Sequence, residues 1–364
     1  MKRTALLITI GVIILAGAYL WYDKYYSSDP VSLATLVPSN AIAVYETSRG
    51  AESWEQIQAT KVWESLRMID KIESFTDNLN GLDTLNETEA GLEQLFSGSF
   101  LISMHLVGRE ALDFLYLVDL NNYQTQFMIN NIIGSMEKDS THTEEIRVYQ
   151  DMEITELQHG DKIFSYLIHD NKLIASFTPF LVEDVIRGLT DENMRGFFDM
   201  HSSLLSMPRL SQDDGNLYVS IQNLSDLTMA LASPAYDKAA REIQRFGAAS
   251  FLDLSIKDET ILLNGFTDEG GSGSLLNTWR NQDPVENNFK FYLPTNTAVF
   301  QQYAFSDASA WFAEMTDYWN LHETEFIQRR NTTLGNIGIE PTEFYGSVGN
   351  SVSLIELELS LIHI

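Results

Sequence analysis

Apolar and polar residues alternate at every second position through several stretches of this chain and recur at three- and four-residue steps through others. IAVYE (42–46) alternates as a strand does, and SFLISMHLV and LDFLYLVDL read as two more strands joined by the short GREA. AESWEQIQATKVWESLRMIDKIESFTDNL brings Trp54, Ile57, Val62, Leu66, Ile69 and Ile72 round at helical spacing, and YQTQFMINNIIGSM is helical again. IRVYQDMEITELQHGDKIFSYLIHDNKLIASFT reads as successive strands with turns at His159-Gly160-Asp161 and Asp170-Asn171, residues that tolerate positive φ. PFLVEDVIRGL then sets Leu181, Val182, Val185, Ile186 and Leu189 on one side of a helix, and NLYVSIQ, SFLDLSI and ILLNGF are later strands among helical segments. Antiparallel meanders with interspersed helices predict an α+β fold, not a doubly wound parallel sheet.

The N-terminus follows a different rule. Lys2 and Arg3 precede an uncharged run from Thr4 to Tyr22, long enough as a helix to cross the hydrocarbon core of a bilayer. Cations on the short side predict that side to be cytoplasmic, and Tyr19, Trp21, Tyr22, Tyr25 and Tyr26 suit an interfacial belt at the other end. Residues 1–28 are therefore expected to be an inner-membrane anchor, with the bulk of the chain in the periplasm. A cleavable signal peptide is the alternative, with Ala16-Gly17-Ala18 as its cleavage site. The apolar run continues past that site into Leu20, Trp21 and Tyr22, which favours retention.

A stretch near the start is echoed near the end. LVPSNAIAVYETSRGAESW and YLPTNTAVFQQYAFSDASAW share a Pro-[Ser/Thr]-Asn turn, an apolar strand and a small polar loop entering a Trp-bearing segment. An offset of 256 places Pro38 on Pro294 and Asn40 on Asn296, and Trp54 meets Trp311 after one inserted residue. The pattern predicts a repeated unit, the first over 29–270 and the second starting at 291–358. Between them, 271–290 reads as a joint, on the Gly-, Ser- and Asn-rich stretch TDEGGSGSLLNTWRNQDPVENN (267–288).

The ordered series LVPSNAIAVYE, LFSGSFLISMHL, LDFLYLVDL, IRVYQDMEITEL, KLIASFTPFLVEDVIRGL, NLYVSIQNLSDL and LLNGFT…NQDP…LPTNTAVF resembles the exported Bacteroidetes family known as domain of unknown function 3352, over about residues 30–358. The resemblance implies an N-terminal membrane segment and a large extracytoplasmic part, and no defined catalytic residues. Longer members continue into a β-rich C-terminal region. The expectation is thus a C-terminally truncated member. The last six residues, LSLIHI (359–364), match the translation of a transposase end sequence used in shotgun libraries, and at Ile362 and His363 they break the alternation that runs from Ile355 to Leu361. They are expected to be a sequencing-adapter artefact.

Composition narrows the chemistry. The chain has 23 basic and 51 acidic residues and a net charge of −28, which disfavours nucleic acid and anionic headgroups as partners. It has no cysteine, so disulfides, thiolate metal sites and a cysteine nucleophile are excluded. His322-Glu323-Thr324-Glu325 lacks the second histidine of a zinc helix and reads as an exposed helix face; DEGGSGS lacks the Lys-Ser/Thr of a phosphate loop. His105, His142, His159, His169, His201 and His363 are scattered, and DLNN, DENM and SQDDGN do not form a calcium loop. No catalytic, cofactor-binding or metal residue is singled out. The expected role is a membrane-tethered binding or envelope-assembly module, with other envelope proteins as partners and no nucleic acid. An exported hydrolase using Asp or Glu and a carrier of an apolar ligand are the alternatives.

Overall fold

The structure is a computed structural model, and it describes residues 32–47, 56–68, 100–109, 111–120, 143–160, 162–208, 214–231, 237–257, 260–286 and 292–358. Residues 1–28, expected to be an anchor, the helix read at YQTQFMINNIIGSM, most of the helix read at 51–79 and the terminal 359–364 lie outside the described residues. The fold is α+β, with a large antiparallel sheet and several helices.

The strands are β1 (Ala41–Thr47), β2 (Phe100–Gly108), β3 (Ala111–Asp119), β4 (Thr143–Tyr149), β5 (Met152–His159), β6 (Lys162–His169), β7 (Lys172–Ser176), β8 (Gly215–Ser220), β9 (Ala249–Lys257) and β10 (Thr260–Thr267). Their order in the sheet is β10-β9-β8-β1-β2-β3-β7-β6-β5-β4. From β1 through β4 every neighbouring pair is antiparallel. The meander β4–β7 folds back so that its last strand lies beside β3. Two-residue turns make this possible. Gln150-Asp151 (φ 47° and 64°) closes β4 onto β5, and Asp170-Asn171 (φ 48° and 56°) closes β6 onto β7. Paired left-handed residues twist a hairpin in the sense its strands already have.

The chain divides into two compact units. The first comprises Met1–Leu205, Arg209–Leu217 and Asp253–Leu263; the second comprises Ser206–Pro208, Tyr218–Leu252 and Asn264–Ile364. In the first, one sheet face carries an aromatic-rich core of Phe100, Ile102, Tyr116, Val118, Phe164 and Tyr166, with Tyr45, Phe114 and Phe177 against it. The side chains of opposite parity, including Leu101, Leu115, Leu117 and Ile174, are just as buried. A strand covered on both faces reads as a continuous apolar run, as SFLISMHLV does. Helix α2 (Pro179–Thr190) lies on β6 and β7, started by a proline at its first turn and burying Leu181, Val182, Val185 and Ile186. Ahead of it in the chain, α1 (Lys61–Leu66) is capped by Thr60, whose hydroxyl oxygen accepts from Trp63 N. Beyond α2, the short α3 (Phe197–Met200) is tied to the turn before β1 by Phe197 N donating to Val37 O at 2.8 Å.

One local reading is corrected. NLYVSIQ was expected to stay extended to residue 222, but β8 ends at Ser220 and α4 (Ile221–Leu231) begins at once. Ser220 Oγ accepts from Asn223 N at 3.2 Å, a capping interaction the alternation does not register.

In the second unit, α5 (Asp237–Gln244) packs on α4, with Ser225 Oγ donating to Ala240 O at 2.7 Å. Strand β11 (Thr297–Ala304) pairs with β12 (Ser351–Leu357), and the helices α6 (Ala308–His322), α7 (Thr324–Asn336) and α8 (Pro341–Gly346) lie between them in sequence. Phe305, Trp311, Met315 and Tyr318 form the core, joined by Leu275, Trp279, Phe312 and Trp319. Within the stretch read as a joint, Leu276–Trp279 is a 3₁₀ turn whose Trp279 lies 5.0 Å from the Trp311 ring. The two echoed segments share local geometry. Ala41 N donates to Pro38 O at 3.1 Å and Thr297 N to Pro294 O at 3.2 Å. The strands that follow carry register shifts at Ala41/Ala43 and Thr297/Val299, the same places in the echo. Trp54, the expected counterpart of Trp311, lies outside the described residues.

Candidate functional site

A polar network that crosses three segments of the first unit is built around β2. Ser103 and His105 stand two apart on β2 and so share one face, and both are completely buried. His105 Nδ1 lies 2.9 Å from Asn40 Oδ1, and its Nε2 lies 2.8 Å from Ser103 Oγ. Asn40 Nδ2 donates to Asp184 Oδ2 at 3.4 Å, and the Asp184 carboxylate is ion-paired with Arg187 one turn along α2. The amide oxygen of Asn40 must accept, so His105 Nδ1 carries the proton and Nε2 accepts from the Ser103 hydroxyl. Every hydrogen then points along one chain, from Ser103 through His105 and Asn40 to Asp184.

The chain of contacts continues over α2. Arg187 Nη1 donates to Tyr149 Oη at 2.9 Å, and Arg147 Nη1 donates to Glu183 Oε1 at 2.7 Å. Arg147 also donates from Nε and Nη2 to Glu156 Oε1, at 3.0 and 2.8 Å. These carboxylates, Glu156 first, raise the Arg147 guanidinium above its usual range. A small cleft opens beside Asp184, lined by Thr35, Val37, Pro38, Gly188 and Gly196.

A serine, a histidine and an amide in this hydrogen-bond order have the connectivity of a nucleophilic triad. The environment gives them another role. Burial pushes His105 down to about 3, too weak a base to take a serine proton near neutrality, and Ser103 has no exposed surface for a substrate to reach. The network is a strut that ties β2, the turn before β1 and α2 together, with Ser103 and His105 buried and Asn40 at the surface. Close by, Asp113 accepts from the Thr178 hydroxyl and from Phe114 N; burial raises its carboxyl, against those two hydrogen bonds. On the aromatic face the Tyr116 hydroxyl is buried without a partner, and burial, aided by the Asp113 charge, raises it strongly.

The sequence singles out no site residue, and among the described histidines only His105 enters this network. His169 ends β6 opposite Lys172, and His201 packs its ring 4.9 Å from Phe197. His159 ends β5. His322, expected on an exposed helix face, is half-buried: its Nε2 donates to Gly273 O at 2.7 Å and its ring lies 4.8 Å from Tyr318. Burial pushes Tyr318 up to about 12, and its hydroxyl donates to Glu242 at 3.5 Å. His142 and His363 lie outside the described residues. Among the described residues no group of three or more His, Asp or Glu is arranged to hold a metal ion.

Two signals for the network were present in the sequence. Ser103 and His105 are polar residues of like parity inside an apolar strand, and Asn40 follows Pro38 in a turn that enters a strand. What could not be seen is that these segments meet Asp184, 144 residues beyond Asn40. No helix among the described residues is long and apolar enough to cross a membrane, and Thr4–Tyr22 is not among them. No family model, curated protein or solved structure matches the chain.

Proposed function

We propose that this chain is a membrane-tethered extracytoplasmic module, as the resemblance to domain of unknown function 3352 implies, and that it binds a partner in the cell envelope. The observation that carries the reading is a contrast within the first unit. The serine and histidine of the triad-ordered cluster are fully buried, with the histidine held neutral, while the end strand β4 leaves Ile146 and Val148 60% and 64% exposed. Reactive side chains are spent on structure, and apolar side chains are presented to the outside. The N-terminal pattern of Lys2, Arg3 and the uncharged Thr4–Tyr22 supports tethering with the folded part in the periplasm. The matching turns at Pro38 and Pro294, and the matching register shifts after them, support a repeated unit whose second copy begins at 291.

Crosslinking in intact cells that produce the full chain, followed by fractionation and mass spectrometry, tests this reading. The expected result is an intact N-terminus in the membrane fraction and reproducible recovery of one or a few envelope proteins. An unmodified chain confined to the cytosol, or no reproducible partner from the envelope, would refute it.

A further inference from the structure

Strand β4 stands at one end of the sheet. Among the described residues β4 has β5 as its sheet neighbour and nothing on its other side. Its seven residues TEEIRVY pair in unbroken register, from Thr143↔Gln158 to Tyr149↔Met152, with no bulge. The strand contains neither proline nor glycine, so its outer row of N–H and C=O groups runs straight. It is also held firmly from one side. Arg147 is fastened to Glu156 and Glu183, and Tyr149 to Arg187. An edge fixed in an extended shape loses little freedom when another strand is added. We propose that β4 pairs antiparallel with β4 of a second copy, about a two-fold axis through Ile146, joining two sheets edge to edge.

Symmetry and charge select this register. A two-fold axis perpendicular to the sheet keeps each side chain on its own face, so it must pass through a residue and not between two. An axis at Glu145 sets Glu145 against its own copy, and an axis at Arg147 sets Arg147 against its own copy; like charges directly opposite are unfavourable. An axis at Ile146 sets the exposed Ile146 on its own copy, Glu145 on Arg147 of the second copy, Glu144 on Val148, and Thr143 on Tyr149. Opposite charges then meet on one face and the apolar centre on the other. The strand complements itself in sequence, which is why a second copy fits this edge and an unrelated acidic or basic strand fits it less well. The inference does not depend on membrane tethering.

The chain contains no cysteine, so single engineered thiols read the register directly. In the full-length chain, kept in mild detergent, Ile146→Cys places two thiols on directly opposed residues. Opposed Cα atoms in an antiparallel pair are roughly 5 Å apart, within disulfide reach. Mild oxidation should convert most of this variant to a covalent dimer. Val148→Cys faces position 144 of the other copy and lies about 13 Å from its own counterpart, so alone it should form no covalent dimer, and it should crosslink when mixed with Glu144→Cys. Ile146→Lys puts two cations on the axis and should abolish the dimer in sedimentation, with an unchanged far-UV circular dichroism spectrum. The proposal is overturned if the natural chain sediments as a monomer at every concentration reached. It is equally overturned if Ile146→Lys remains dimeric, or if Val148→Cys alone crosslinks as fast as Ile146→Cys.

Discussion

At the scale of single residues, His105 shows how burial changes what a side chain means. An exposed histidine would titrate near its ordinary 6.5, but in the folded chain burial pushes it down to about 3. Between those values the unfolded chain binds a proton that the folded chain refuses, so acid favours unfolding across that window. The stabilisation held above about pH 6.5 should fall by roughly 1.4 kcal/mol per pH unit from this group alone, levelling off near pH 3. Asp113, raised by burial, acts in the opposite sense at the acid end, so the comparison must be made between variants. Urea unfolding of the natural chain and of His105→Gln at pH 7, 6 and 5 should show the steeper acid loss in the natural chain. Parallel pH curves would show that His105 does not stay neutral. The residue type was legible in the sequence, and its protonation state was not, because desolvation depends on everything packed around the ring.

At the scale of elements, the turns carry the clearest cost. Gln150 and Asp151 both adopt left-handed backbone in the β4–β5 turn, although neither is glycine. The left-handed region costs an L-residue about 1–2 kcal/mol, while glycine enters it freely. Asp151 is exposed, so Asp151→Gly removes strain without removing packing. It should raise the unfolding free energy by about 0.5–1 kcal/mol, net of glycine's own entropy cost, as read from a shift of the urea midpoint at constant slope. A lower midpoint would mean that the Asp151 side chain supports the turn. The sequence announces the Asp170-Asn171 turn because both residue types favour such backbone, but it does not announce Gln150-Asp151, because glutamine does not favour it. The start of α4 was hidden for a related reason. Ile221 is apolar and buried, so it satisfies the strand period and the helix period alike, and Ser220 supplies the cap that decides between them.

At the scale of the whole molecule, charge is the dominant long-range term. A net charge of −28 on one chain repels itself, and at low salt that repulsion acts over the full width of a domain. The Debye length shrinks from about 30 Å at 0.01 M to about 8 Å at 0.15 M ionic strength. Thermal unfolding of the full chain should therefore shift upward by a few degrees between those salt concentrations. A midpoint that does not move would indicate that the acidic side chains are locally compensated, as Glu156 and Glu183 are by Arg147.

The sequence by itself determined which stretches are strands and which are helices through most of the described chain, because side-chain period is a local property. It determined the fold class, since short turns between alternating segments admit little besides antiparallel pairing. It also carried the acidic charge and the absence of cysteine chemistry. Only the tertiary structure decided that β7 returns to lie beside β3, that Asn40, His105 and Asp184 join in one hydrogen-bonded chain, and that β4 stands at one end of the sheet with Ile146 and Val148 exposed. The physical reason is the same in each case. A local pattern states that a residue has an inner and an outer side, but the partner it meets there is chosen by packing among segments far apart in the chain.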